Sequence, residues 1–121
     1  MSRAARNPDE VNLTPAMTHI LLALLEGECH GYAIMQAIDD ITAGEMRIGP
    51  GTLYTSIRKL LDAGLISESG ERPQTIDDDE RRRYYRLSAE GRRAAGQEVD
   101  RLSRLVRFAK RYTFTTHAIE A

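Results

Sequence analysis

The chain contains no tryptophan, one cysteine and only 6% aromatic residues in 121. A single cysteine, Cys29, excludes an internal disulfide. The N-terminus lacks the apolar run of a signal peptide. The longest unbroken apolar stretch, residues 20–25, is far below the ~20 residues of a membrane-spanning helix. We therefore expect a cytoplasmic location and no contact with a membrane.

The sequence also lacks a catalytic constellation. Gly49-Pro50-Gly51 is not followed by the lysine and hydroxyl residue of a phosphate-binding loop. Cys29 and His30, with His19 upstream, fall short of the three or four ligands of a metal site. At 121 residues there is room for one domain and none for a second, catalytic one. We expect no enzymatic activity, no metal and no cofactor.

The net charge is close to zero, but the charged residues are unevenly distributed along the chain. The formal net charge is -1, from 17 basic and 18 acidic residues. Residues 81–111 hold 11 of those basic residues and 3 of the acidic ones, so that segment carries +8 and the remainder -9. Because the local field attracts phosphate, the neutral total does not exclude nucleic-acid binding.

Three short helices are predicted in the first half of the chain. Thr14 and Pro15 form a good helix start, because threonine caps exposed amides and proline at the first position loses no hydrogen bond. An apolar stripe follows until Gly27. A second helix is predicted from near Gly31 to Gly44. The third lies within residues 49–66, where an apolar stripe at helical spacing faces a polar surface.

The polar surface of the third helix is the candidate DNA-binding site. Its members are hydrogen-bonding or cationic side chains, with a tyrosine on the flank: Thr52, Thr55, Arg58, Lys59 and Tyr54. The N-terminal residues of such a helix lie nearest the base edges in helix-turn-helix proteins, so the two threonines are candidates for base contact. Tyr54 and Lys59 are candidates for phosphate. Solubility alone is the alternative explanation for this face.

Two strands are predicted after the third helix. Gly64 ends the helix, and a first strand begins near Leu65. Arg83–Leu87 is the returning strand, and alternation places Tyr85 on its buried side. The same alternation, extended back by one residue, places Arg82 and Arg86 on the other side, free to reach the DNA backbone. The intervening residues 70–80, with an acidic run at 77–80, form a predicted mobile tip. The fold class is therefore mainly α with a two-stranded hairpin, a winged helix-turn-helix.

A long final helix is predicted from Ala89 to Arg111, with Ser88 as its cap. Five of its apolar residues repeat at alternating spacings of four and three, which is a heptad: Ala95, Val99, Leu102, Val106 and Ala109. Leu105 and Phe108 broaden this seam. A helix of this length spans ~34 Å at ~1.5 Å per residue, more than so small a core can cover. The seam is thus predicted to pair with a second copy. Most of the arginines between the apolar residues are expected to lie on the solvent-exposed side of the helix.

The order of these motifs resembles the PadR family of bacterial transcriptional regulators. The resemblance rests on Leu13-Thr14-Pro15, His30-Gly31-Tyr32-Ala33-Ile34, Gly51-Thr52-Leu53-Tyr54, Arg58-Lys59-Leu60, Gly64-Leu65-Ile66, Arg83 to Ser88 and Gly91. It implies a winged helix-turn-helix that dimerises through its last helix and usually represses its target, in the smaller subtype with one C-terminal helix. Thr55 stands where members commonly have proline. The resemblance also implies a small-molecule effector, bound between subunits.

The expected organisation is an N-terminal arm at 1–12, a DNA-binding domain at 13–87, a dimerisation helix at 88–111 and a tail at 112–121. The expected function is a homodimeric repressor that binds double-stranded operator DNA. The alternative is a winged domain that docks a protein partner and does not bind DNA.

Overall fold

The computed structural model describes residues 12–69 and 83–112. Four helices and three strands make up this part of the chain: α1 (Pro15–Ala23), β1 (Cys29–His30), α2 (Gly31–Ile41), α3 (Pro50–Asp62), β2 (Ile66–Glu68), β3 (Tyr84–Leu87) and α4 (Ala89–Lys110). The predicted arm, apart from Asn12, lies outside the described residues, as do the predicted mobile tip with its acidic run, Arg82, and residues 113–121 of the tail.

Local chemistry fixes the ends of α1. The Thr14 hydroxyl accepts a hydrogen bond from the Met17 amide at 3.1 Å, and Pro15 occupies the first turn, as predicted. The end differs from the prediction, because the α-helix stops at Ala23 and a 3-10 turn continues to Glu26. Gly27 then adopts a φ of +145°, a backbone conformation that other residues rarely enter.

Helices α2 and α3 form the helix-turn-helix. His30 caps α2, because its Nδ1 accepts a hydrogen bond from the Ala33 amide at 3.1 Å. Proline in the first turn starts α3, and Gly64, at a φ of +76°, follows its end as predicted. The apolar stripes of both helices are buried together with those of α1, and the side chains with at most 1% exposure are Ile20, Leu21, Leu24, Ile34, Ile38, Leu53, Leu60 and Leu65.

The sheet has three strands in the order β1-β3-β2, all antiparallel, where the sequence predicted a two-stranded hairpin. The added strand is the two-residue segment before α2, in which Cys29 pairs with Tyr85 and His30 with Tyr84. Two residues are too short to show an alternating pattern, so this strand had no sequence signal. Its pairing ties the start of α2 to the wing.

Helix α4 begins as predicted, with the Ser88 hydroxyl accepting a hydrogen bond from the Gly91 amide at 2.9 Å. Only its start packs on the core, through Gly91, Ala94 and Ala95. Ala95, expected in the seam between two chains, is 2% exposed within its own chain and cannot serve that interface. The predicted long helix is confirmed at 22 residues.

Candidate nucleic-acid interface

The outer face of α3 is exposed. Thr52, Thr55, Arg58 and Lys59 all lie open to solvent, on the side opposite to the buried stripe of the same helix. Within the described part of the chain, neither Arg58 nor Lys59 forms an ion pair. The two cations are therefore available to an anionic partner without loss of an ion pair among the described residues.

Tyr54 is held in place by α2. Its side chain is half-buried and lies directly over Gly31, so close that an added Cβ at Gly31 would overlap the Tyr54 hydroxyl. The absence of a side chain at the first residue of α2 therefore determines where the tyrosine hydroxyl sits on the flank of α3. A displaced α2 would move that hydroxyl relative to the exposed face of α3.

A cleft of about 540 Å³ separates α3 from the hairpin. Its walls are aromatic and apolar at depth and charged at the rim, and the lining consists of Tyr54, Ile57, Arg58, Leu61, Asp62, Glu68, Arg83 and Tyr85. Across the strands, an Arg83 guanidinium nitrogen lies 3.0 Å from a Glu68 carboxylate oxygen. One arginine thus stands on each side of the cleft, Arg58 on the helix and Arg83 on the sheet.

Arg82 and Arg86, the two arginines predicted to contact the DNA backbone from the returning strand, differ in what the structure describes. Arg82 lies outside the described residues. Arg86 is exposed, but alternation places it on the sheet face opposite to Tyr85, away from the cleft beside α3. Arg83 is the cation that faces α3, and sequence reasoning missed it because the side of the strand shared with Tyr85 was taken as core. Beside α3, that side of the strand lines a cleft.

The second half of α4 exposes large apolar side chains. Val99 is 42% exposed, Leu102 37%, Leu105 54% and Val106 52%, while Ala109 is half-buried. The seam is broadened by Phe108, which is 57% exposed.

Cations lie along the sides of that helix, and Arg101 is an example that forms an ion pair. An Arg101 nitrogen lies 2.7 Å from a Glu98 carboxylate oxygen, and this hydrogen bond lowers the pKa of Glu98.

Cys29 is half-buried in β1, and its thiol lies 3.8 Å from the Gly27 carbonyl. Burial, with the nearby Glu26 carboxylate, raises the pKa of the thiol. Among residues 12–69 and 83–112, no three or more His, Cys, Asp and Glu side chains group to hold a metal ion. In those ranges there is also no helix with the length and hydropathy needed to cross a bilayer.

The raised pKa makes Cys29 a slow nucleophile, because only the thiolate attacks. We expect iodoacetamide to alkylate Cys29 with a rate profile whose midpoint lies at higher pH than that of free cysteine. Mass spectrometry of the native protein across a pH series measures this, and Cys29→Ser serves as the blank. A midpoint below that of free cysteine would contradict the burial argument.

Comparison with known sequences finds one regulator family and two relatives. A model of the transcriptional regulator PadR-like family matches residues 20–97. A transcriptional regulator of Mycobacterium tuberculosis is 33% identical over 90 residues, which are 74% of this chain and 77% of that protein. An uncharacterized protein of a Streptomyces fradiae transposon is 31% identical over 86 residues, and the chain spans only 22% of its length.

Comparison with solved structures finds the same fold. A PadR family regulator of Clostridium difficile has a TM-score of 0.68 at 20% identity, with 82% of this chain and 98% of that one covered. A regulator of Clostridium thermocellum has a TM-score of 0.64 at 26% identity, with 81% and 89% covered. Bacillus subtilis PadR, solved in complex with operator DNA, has a TM-score of 0.57 at 22% identity, with 69% and 45% covered.

Proposed function

The chain belongs to the PadR-like family of transcriptional regulators, and from this premise we propose that it is a homodimeric repressor that binds operator DNA through the exposed face of α3. The observation that carries the proposal is the division of α3 into a buried apolar stripe and an exposed face with two cations that form no ion pair among residues 12–69 and 83–112. Membership of this family also makes the protein a regulator and not an enzyme.

The division of labour on α3 follows from the position of each side chain. Thr52 and Thr55 lie in the first half of the helix, where a helix-turn-helix protein reads base edges in the major groove. Lys59 and the Tyr54 hydroxyl contact phosphate, which sets register without reading sequence. Arg58 faces the cleft toward the hairpin and joins Arg83 there. A related protein, Bacillus subtilis PadR, was solved with operator DNA bound.

Two copies are part of the proposal, because the apolar seam of α4 is uncovered from Val99 onward. A twofold dimer presents two α3 helices, so the operator is expected to be a pseudo-palindrome with half-sites about 10 base pairs apart. Binding is expected to weaken steeply with salt, because each phosphate contact releases a counterion.

Control by a small-molecule effector is the remaining part of the proposal. The family resemblance implies an effector site between subunits, but the proposed site is within one chain. The cleft between α3 and the hairpin, at about 540 Å³, has the size of a small-molecule site. Tyr54 and Arg58 line it and are also assigned to DNA, so a ligand in the cleft and the duplex would compete for the same side chains.

Operator binding is tested by titrating a duplex that covers the promoter of the protein's own gene. The variant Tyr54→Phe with Lys59→Ala removes one hydroxyl and one charge but keeps the half-buried ring, and we expect affinity to fall about 10- to 100-fold. Arg104→Ala, on α4, removes the same charge from an exposed site and is the matched control. The measurement is a gel-shift or anisotropy titration at two salt concentrations.

Two results would contradict the proposal. Equal affinity of the α3 variant and the wild type would mean that the exposed face of α3 is not the contact. No retardation of any duplex at low salt would favour the alternative function, a winged domain that docks a protein partner.

A further inference from the structure

The turn between α2 and α3 is held in one conformation. Ala43 and Gly44 have φ values of +54° and +79°, so the chain passes through two consecutive left-handed residues. The Thr42 hydroxyl donates to the Ile38 carbonyl at 2.8 Å and accepts from the Met46 amide at 3.0 Å. The turn is therefore tied to the last part of α2 on one side and to the approach to α3 on the other.

Arg47 leaves this turn toward solvent. Its Nε lies 3.2 Å from an Asp39 carboxylate oxygen, while its side chain is 78% exposed and that of Asp39 33%. Within the described residues, its two terminal nitrogens have no hydrogen-bond partner. A guanidinium has five N–H donors, so four remain for another acceptor. The Asp39 carboxylate orients the Arg47 side chain through Nε and does not bond to its two terminal nitrogens.

The position of Arg47 is at the junction of the two helices. It lies two residues before Gly49, the residue that caps α3, and borders a cleft of about 250 Å³ with Tyr32 and Gln36 of α2. In a helix-turn-helix the second helix enters the groove by its N-terminal end while the first crosses the backbone. Apart from adjoining residues and the backbone of α3, no atom of the described residues lies within 4 Å of a Cβ built at Gly49 or Gly51, so the described part of the chain leaves this approach open.

From this geometry we propose that Arg47 is a further phosphate-binding residue and that Asp39 is its positioning residue. The inference rests on the proposed DNA binding. An exposed ion pair contributes little to folding stability, so replacing either residue is expected to leave the fold intact. An unrestrained arginine loses rotamer freedom when it binds a phosphate. The ion pair with Asp39 already restricts the Arg47 side chain, so less rotamer entropy is lost when the DNA binds.

Asp39→Asn distinguishes positioning from simple charge. Coulomb attraction alone predicts tighter binding once a carboxylate is removed from beside the phosphates. Positioning predicts the opposite, and we expect affinity to fall about 3- to 10-fold. Asp40→Asn is the matched control, because it removes the same charge at the next residue, which is exposed and forms no described ion pair. We expect Asp40→Asn to leave affinity unchanged or slightly higher.

The phosphate contact itself is tested with Arg47→Ala. We expect affinity to fall by a similar factor on operator and unrelated duplexes, and the slope of log affinity against log salt to decrease by about one. In the Arg47→Ala background, Asp39→Asn should no longer weaken binding, because the residue that it positions is gone. Thermal unfolding of each variant verifies that the fold is intact.

The outcomes separate this inference from the proposed function. If wild type binds and the α3 variant fails to, but Arg47→Ala keeps the wild-type salt slope, Arg47 is not a phosphate contact and the inference is overturned. Tighter binding by Asp39→Asn overturns the positioning role in the same way. If wild type binds no duplex, the proposed function itself fails, and the inference falls with it.

Discussion

The double substitution Leu102→Asp with Val106→Asp is expected to leave the protein monomeric, with a dissociation constant at least about 100-fold above that of the wild type. Both side chains lie in the seam of α4 that the proposed dimer covers. An unpaired carboxylate removed from water costs several kcal/mol, and about 2.7 kcal/mol already gives a hundredfold change. In a twofold dimer each substitution is also present twice.

We propose a second copy on the seam because α4 extends beyond the core of its own chain. The helix has 22 residues and is about 33 Å long at ~1.5 Å per residue. The last of its residues to be buried is Ala95, so the apolar stripe from Val99 onward faces solvent in the single chain. A contiguous exposed apolar stripe of this kind marks an interaction surface. A second copy supplies a matching stripe at the same spacing.

Sedimentation velocity over a concentration series measures the effect. Gln97→Asp with Arg104→Gln is the control, because it changes the net charge by the same amount on the opposite side of the same helix. The control should sediment as the wild-type dimer. A persisting dimer in the Leu102 and Val106 variant would place the interface elsewhere, and a monomer that binds the operator with wild-type affinity would contradict the twofold binding model.

Interactions that act over a few residues were predictable from the sequence. The caps at Thr14 and Ser88 bond to amides three residues ahead, so the residue type and its neighbours already contain the information. The stripe of α3 and the long helix α4 follow from spacing in the same way. The open face of α3 is the complement of its stripe, which is why the candidate contacts on that helix were identified together.

Features that depend on distant pairing were not predictable. β1 exists because Cys29 meets Tyr85 across the sheet, and nothing near Cys29 in the sequence indicates that partner. Ala95 fits the heptad spacing of the seam, but it is buried where α4 packs on the core of its own chain. Arg83 shares a strand face with Tyr85, and alternation alone does not show that Tyr85 is buried while Arg83 is exposed at the cleft beside α3.

Gly91→Ala is expected to lower the free energy of unfolding by about 3 kcal/mol or more, a larger loss than for any other substitution proposed for this protein. Gly91 is where the first turn of α4 meets the end of the α3–β2 connection. A Cβ there would overlap the Leu65 carbonyl oxygen and lie 2.8 Å from its carbon. That carbonyl also accepts from the Ser88 amide at 3.0 Å, and the Leu65 side chain is fully buried, so neither side of the contact can yield cheaply.

Gly96→Ala, in the same helix, supplies the control with the opposite sign. Outside the neighbouring residues and backbone of α4, no described atom lies within 4 Å of a Cβ at Gly96, so the substitution adds only helix propensity, worth about 0.5–1 kcal/mol of stabilisation. Thermal unfolding followed by circular dichroism should show Gly91→Ala melting roughly 12–24 °C lower and Gly96→Ala slightly higher than the wild type. Equal melting temperatures for the two variants would mean that α4 does not dock on Leu65 through Gly91. A selective loss at Gly91 would show that this glycine is required because two backbones meet there, since both variants add the same methyl group to the same helix.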